Sequence, residues 1–210
     1  DKPLDNTMPG RLFIQQFLSR AVKAGCQYAI VEVTSEGVKL NRHRFIDWSA
    51  AIFTNLAPEH IETHGSFEAY REAKLKFFRY VAKKHAFLIT HDREMLEKLF
   101  LVNRDDENSR HFIEVTKVNL AISDVDNIIL YGKEDLFSPA LPGEFNQYNI
   151  GAAAAFAGSQ GVGEEIIKNA MANFPGVPGR MEFVQKKPFA VVIDYAHTPD
   201  SLREVYKTLK

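Results

Sequence analysis

The chain has 210 residues, 45% hydrophobic and 25% charged, which is ordinary globular material, enough for one good core and part of a second domain. A formal net charge of -1 leaves no electrostatic footprint for nucleic acid or an anionic membrane, and the single cysteine, Cys26, excludes a disulfide framework and a Cys-rich zinc site. The apolar runs AIVEV and IGAAAAFAG are too short or too Ala-rich to span a bilayer, and the opening DKPLDNTMPG lacks a signal-peptide pattern, so a soluble, cytoplasmic protein is expected.

Helical and strand patterns alternate along the chain, which predicts an α/β fold. Residues 10–24 carry Leu12, Phe13, Phe17, Leu18, Ala21 and Val22 at helical spacing, with Gly25 as a stop. QYAIVEV (27–33) and WSAAIFTN (48–55) read as strands, and 66–84 as a helix. A strand at 86–90, a short helix near 92–98 and a strand LFLVN ending at Asn103 follow. Residues 111–144 read as short strands and loops, broken by Pro139, Pro142 and Gly143. Helices at about 146–159 and 163–173 come next, then the turn-rich PGVPGR, strands at EFV and AVVIDY, and a helix beginning at Ser201. That last helix meets Lys210 in mid-element, as expected of a truncated domain.

The helix at 66–84 contains an anomaly. Tyr70, Ala73, Phe77, Phe78 and Val81 form its apolar stripe, yet Lys74 lies four residues from both Tyr70 and Phe78 and shares their face. Such a lysine either snorkels to the edge or serves a purpose near the sheet. Glu32 ends one predicted strand and His60 follows the next, and ligands of open α/β sheets bind at the carboxyl ends of strands. Carboxylate and imidazole suit a divalent metal; a lysine does so only after modification, for instance when carbon dioxide converts it to a carbamate.

Eight segments in order carry a family resemblance: NTMPG (6–10), EVTSEGVKLNR (32–42), FTNLAPEHIETHG (53–65), YREAK (70–74), VNRDD (102–106), LPGEFNQYNIGAAAA (141–155), GVPGRME (176–182) and VIDYAHTPDSL (192–202). By these the chain resembles the Mur ligases, above all those that add the third peptide residue to UDP-N-acetylmuramoyl-L-alanyl-D-glutamate. The resemblance implies a central ATP-binding domain over 1–178, with a mainly parallel sheet flanked by helices. It also implies the first strand and helix of a Rossmann-like C-terminal domain over 179–210.

It further implies ATP and Mg²⁺, with the UDP-muramoyl dipeptide and an amino acid as partners. No nucleic acid, no membrane insertion and a monomeric state go with it. Glu32 and His60 match metal ligands and Lys74 a carbamylated lysine. Asn6, Thr7, Thr34, Ser35 and Arg42 match contacts to the UDP-muramoyl part. Asn146 and Asn149, one helical turn apart, match adenine-recognising asparagines, and Arg180 and Asp194 match contacts to phosphate and ribose. His64 stays outside the metal set.

Each position also has a plainer reading. Thr34 and Ser35 suit a helix cap, Asn146 an N-cap, Glu32 and His60 solvated or hydrogen-bonded loop positions, and Arg180 a surface ion pair. The family's phosphate loop G-x-x-G-K-[ST] has no counterpart; GSQGVG (158–163) lacks the lysine and hydroxyl and reads as a turn between helices, so the chain by itself is expected not to hydrolyse ATP. Met8, Glu36 and Leu40 stand where the family usually has threonine, histidine and glutamine. These departures leave two alternatives open: a related ligase acting on another acid, such as a folylpolyglutamate or cyanophycin synthetase, and a non-catalytic scaffold binding a nucleotide sugar.

Overall fold

The computed structural model describes residues 8–57, 61–87, 98–120, 127–133, 138 and 140–210. In chain order the elements are α1 (Arg11–Lys23), α2 (Ser35–Lys39), β1 (Ala50–Phe53), α3 (Ile61–His64), α4 (Phe67–Phe87), β2 (Leu99–Asn103) and α5 (Ser109–Leu120). Then come β3 (Ile128–Tyr131), α6 (Glu144–Ser159), α7 (Glu164–Ala172), β4 (Glu182–Gln185), β5 (Val191–Ile193) and α8 (Pro199–Leu209). The chain divides into two compact units: Asp1–Ala51, Pro58–Leu99 and His111–Asn127 form the first, and Ile52–Ala57, Phe100–Arg110 and Ile128–Lys210 the second.

In the first unit Met8, Ile14 and Ile46 are buried together, with Leu18, Val33 and Trp48 packed against them. On α1 it is therefore the Ile14 and Leu18 face that turns inward, while Leu12 and Val22 of the expected stripe are 80% and 75% exposed. An aromatic seam runs along α4: Phe77 meets Trp48 edge-on at 5.2 Å, and Phe78 meets Phe112 of α5 at 4.8 Å. Both α2 and α3 pack against α4.

Three expectations are corrected. Residues 27–33 form no hydrogen-bonded strand among the described residues, and Tyr28 and Ile30 are exposed. A β-pattern needs a ladder partner to become a strand, because unpaired backbone groups prefer water. Ala86 and Phe87, expected to open a strand, belong to the last turn of α4; residues 88–90 of that strand and 92–97 of the helix expected near 92–98 lie outside the described residues, and Lys98 is not helical. Residues 111–120, the first part of the 111–144 stretch expected as short strands and loops, lie in α5. Its Ile, Val and Thr content disguises a helix by propensity, but Phe112 packing on Phe78 and the Thr116 hydroxyl donating back to the Phe112 carbonyl at 2.7 Å are helical interactions.

The strands of the main sheet follow the order β1-β2-β3, with β2 parallel to β3 in the register Phe100↔Ile128 to Asn103↔Tyr131. Phe100, Leu101 and Val102 are consecutive and fully buried, as a central strand covered on both faces requires. In the second unit Tyr131 donates its hydroxyl to the Phe53 carbonyl at 2.8 Å, and Asn103 donates its amide to the Thr54 carbonyl at 2.9 Å, cross-linking the carboxyl ends of the strands.

Helices α6 and α7 are joined by the turn at GSQGVG, as expected. β4 and β5 pair antiparallel with a register shift between Phe183 and Gln185. Helix α8 begins at Pro199, two residues before its expected start. Thr198 caps it in a reciprocal capping box with Ser201, and proline is pre-shaped for the first helical position. Among the described residues no helix is long and apolar enough to cross a membrane.

Candidate functional site

Within the first unit, the described residues Thr34, Ser35 and Lys74 of the predicted set lie on or beside α2 and α4, which pack together. Thr34 is the N-cap of α2 and its hydroxyl accepts from the Gly37 N–H at 3.0 Å, which is the plain capping role. Ser35 opens the helix and is 6% exposed. Its hydroxyl lies 3.1 Å from Nε2 of His64, the last residue of α3. The His64 ring leans on Tyr70 of α4, centroids 5.4 Å apart, and the Lys74 ammonium stands 5.1 Å from the centre of the same Tyr70 ring. Thus Ser35, His64, Tyr70 and Lys74 make a continuous run from the start of α2 to the first turns of α4. Lys74 is half-buried and shares the face of Tyr70, as its spacing requires.

Arg42 donates to the Met8 carbonyl, so Met8 is tied to the chain just after α2. This turn is made by Asn41 at φ 55° and by the Arg42 N–H returning to the Gly37 carbonyl at 2.8 Å. Met8 itself is buried, with its thioether on Gly37, where a Cβ would collide with the sulfur. Glu32 is exposed on the extended segment leading into Thr34. Asn6, Thr7 and His60 lie outside the described residues, and among those described no three His, Cys, Asp or Glu side chains converge in a ready metal cage.

In the second unit, Gly143 rather than Asn146 is the N-cap of α6. Asn146 sits one turn in and buried, where its amide donates to the Pro142 carbonyl at 2.8 Å and its oxygen accepts from the Asn149 amide at 3.1 Å. Asn149 is exposed, so the buried asparagine anchors and the outer one presents. Among the described residues Arg180 makes no ion pair; its guanidinium lies 4.8 Å over the Tyr195 ring. Asp194 accepts from the Met181 N–H at 2.8 Å and the Ala196 N–H at 2.7 Å, which pins the carboxylate between strand β4 and the turn into α8.

Three further residues join this run: His64, outside the expected metal set, Tyr70 of the apolar stripe, and Lys39, whose ammonium donates to the Thr63 carbonyl at 3.1 Å. Local spacing carries a signal only for Tyr70, four residues before Lys74; the partners of His64 and of Lys39 lie 29 and 24 residues away in the chain. A cavity of about 480 Å³ lies elsewhere in the first unit, against α4 and α5, where Glu68, Glu72, Arg79 and Glu114 surround an Arg71 to His111 contact of 3.2 Å; none of the predicted residues lines it.

Residues 2–157 match the family model for the Mur ligase middle domain, and residues 179–210 that for the Mur ligase glutamate ligase domain. UDP-N-acetylmuramoyl-L-alanyl-D-glutamate--2,6-diaminopimelate ligase of Halalkalibacterium halodurans is 32% identical over 99% of this chain and 45% of its own length. The same ligase of Bacillus cereus is 32% identical over 98% and 44%. The chain therefore spans about 45% of the length of these curated relatives. A solved structure of that ligase superposes with a TM-score of 0.72 at 28% identity, covering 96% of this chain and 43% of its own. Folylpolyglutamate synthase of Mycobacterium tuberculosis, at 16% identity and a TM-score of 0.54, covers 79% of this chain and 40% of its own, and shares the fold.

Proposed function

Because the chain belongs to the Mur ligase family, we propose that it supplies the central part of an ADP-forming ligase that adds an amino acid to UDP-N-acetylmuramoyl-L-alanyl-D-glutamate in the cytoplasm during peptidoglycan synthesis. Residues 1–178 are then the ATP-binding domain and 179–210 the start of the amino-acid-binding domain. In this reaction class a substrate carboxylate takes the γ-phosphoryl group of ATP, releasing ADP, and an amine displaces phosphate from the resulting acyl phosphate to leave an amide. The observation that carries the reading is the gathering of Thr34, Ser35, His64 and Lys74 around α2 and α4, in a chain about 32% identical to diaminopimelate-adding ligases across almost its whole length.

In this reading Thr34 and Ser35 offer hydroxyls, and Arg42 a guanidinium, to the UDP-muramoyl substrate, and Asn6 and Thr7 serve the same substrate. Asn149, held by Asn146, meets the adenine, while Arg180 and Asp194 meet phosphate and ribose. Glu32, His60 and Lys74 form the metal set. An ammonium cannot ligate Mg²⁺, but a carbamate on Lys74 would present hard oxygens, and with the Glu32 carboxylate the donors then suit this ion. Bound there, Mg²⁺ would neutralise charge between phosphate and carboxylate.

The test is ADP release by the full-length gene product, given ATP, Mg²⁺ and the nucleotide-sugar dipeptide, with 2,6-diaminopimelate as the first amine offered and a panel of amino acids after it. Turnover that needs both the dipeptide and one amine is the expected result. Turnover with a different acid in place of the dipeptide would overturn it.

A further inference from the structure

We propose that His64 is a positioning residue for substrate binding: it sets the hydroxyl of Ser35 toward the UDP-muramoyl group, an inference that rests on Ser35 being a substrate contact. Ser35 is nearly buried at the start of a five-residue helix, and a serine hydroxyl has three rotamers and a freely turning proton. The Nε2 atom of His64, 3.1 Å away, selects one of them. Whichever group donates, the direction of the remaining Ser35 lone pairs or proton is then fixed before substrate arrives, which removes an ordering cost from binding.

The histidine is itself held. Its ring rests against Tyr70, which is 2% exposed on α4. The preceding residue, Thr63, accepts from Lys39 at the far end of α2. Adjacent residues of α3 therefore grip the first and last residues of α2, and the histidine does so through the side chain that touches the substrate-facing hydroxyl. Thr34 needs no such help, since its own capping bond to Gly37 already orients it.

The experiment uses the full-length gene product. His64→Phe keeps a ring against Tyr70 and removes the bond to Ser35; His64→Gln keeps a donor and acceptor at similar reach. For His64→Phe the expected result is a rise of about fivefold in KM for the nucleotide-sugar dipeptide, the scale of one neutral hydrogen bond, with kcat and KM for ATP within about twofold of wild type. Ser35→Ala shows a similar rise, the double variant is no worse than Ser35→Ala, and His64→Gln recovers most of the loss. Three results would overturn the proposal: an unchanged dipeptide KM in His64→Phe, single effects that multiply in the double variant, or parallel losses in both KM values and in the thermal midpoint, which mark a purely structural role. If Ser35→Ala raises the KM and His64→Phe does not, this inference alone fails. If the wild type turns over another acid and not the dipeptide, the functional reading fails with it.

Discussion

The Lys74 ammonium lies 5.1 Å from the centre of the Tyr70 ring, one turn back along α4, so a cation is held against a buried aromatic face instead of trailing into water. The stack orders the lysine stem at the edge of the apolar stripe. Lys74→Ala is expected to cut ADP release about 100-fold or more, the scale of losing a group that stabilises transition-state charge. Addition of a short-chain carboxylate should restore part of that activity by replacing the missing oxygens. Full activity in Lys74→Ala would exclude the carbamate role.

The asparagine pair of α6 divides its labour between anchoring and presenting. Asn149→Ala should weaken adenine-nucleotide binding about fivefold and leave the thermal midpoint near that of wild type, since it removes an exposed amide. Asn146→Ala should weaken binding as much and also destabilise the fold by about 1–3 kcal/mol, because a buried amide and the donor to Pro142 go together. Calorimetric titration with ADP, set beside thermal unfolding, separates the two.

His43 predicts an acid-sensitive fold. Burial, reinforced by the charges of Lys76 and Arg44, lowers its pKa from 6.5 to about 4, and its Nδ1 has no hydrogen-bond partner among the described residues. Between those values the unfolded chain binds a proton that the folded chain refuses. The stability associated with the neutral ring is therefore intact above about pH 6.5 and is lost as pH falls toward 4, by on the order of 3 kcal/mol. Urea midpoints at pH 7, 5 and 4 should show the decline in wild type, and His43→Leu should lack that component.

Tyr131 tests the strand ends. Burial and the nearby Asp106 charge push its phenol pKa upward, so the hydroxyl stays a neutral donor to the Phe53 carbonyl across the working range. Tyr131→Phe should cost about 1 kcal/mol, seen as a lower urea midpoint with an unchanged slope.

The sequence by itself determined the family, the α/β class, the helices α1, α4, α6, α7 and α8 and the strands β1, β2, β4 and β5, because motif order, 3.6-residue periodicity and short apolar runs bounded by turns are written locally. It also placed Lys74 correctly on the face of Tyr70, since helical spacing alone decides which side chains share a face. Only the tertiary structure decided the rest. Residues 27–33 carry a strand pattern that finds no ladder among the described residues, and α5 is a helix because Phe112 finds Phe78, although its β-branched residues argue otherwise. Asn146 yielded the cap to Gly143 and took the anchoring position, and His64 found Ser35 across 29 residues of chain. Strand pairing and hydrogen bonds between distant side chains depend on partners brought together by the whole fold, and no window of local sequence contains them.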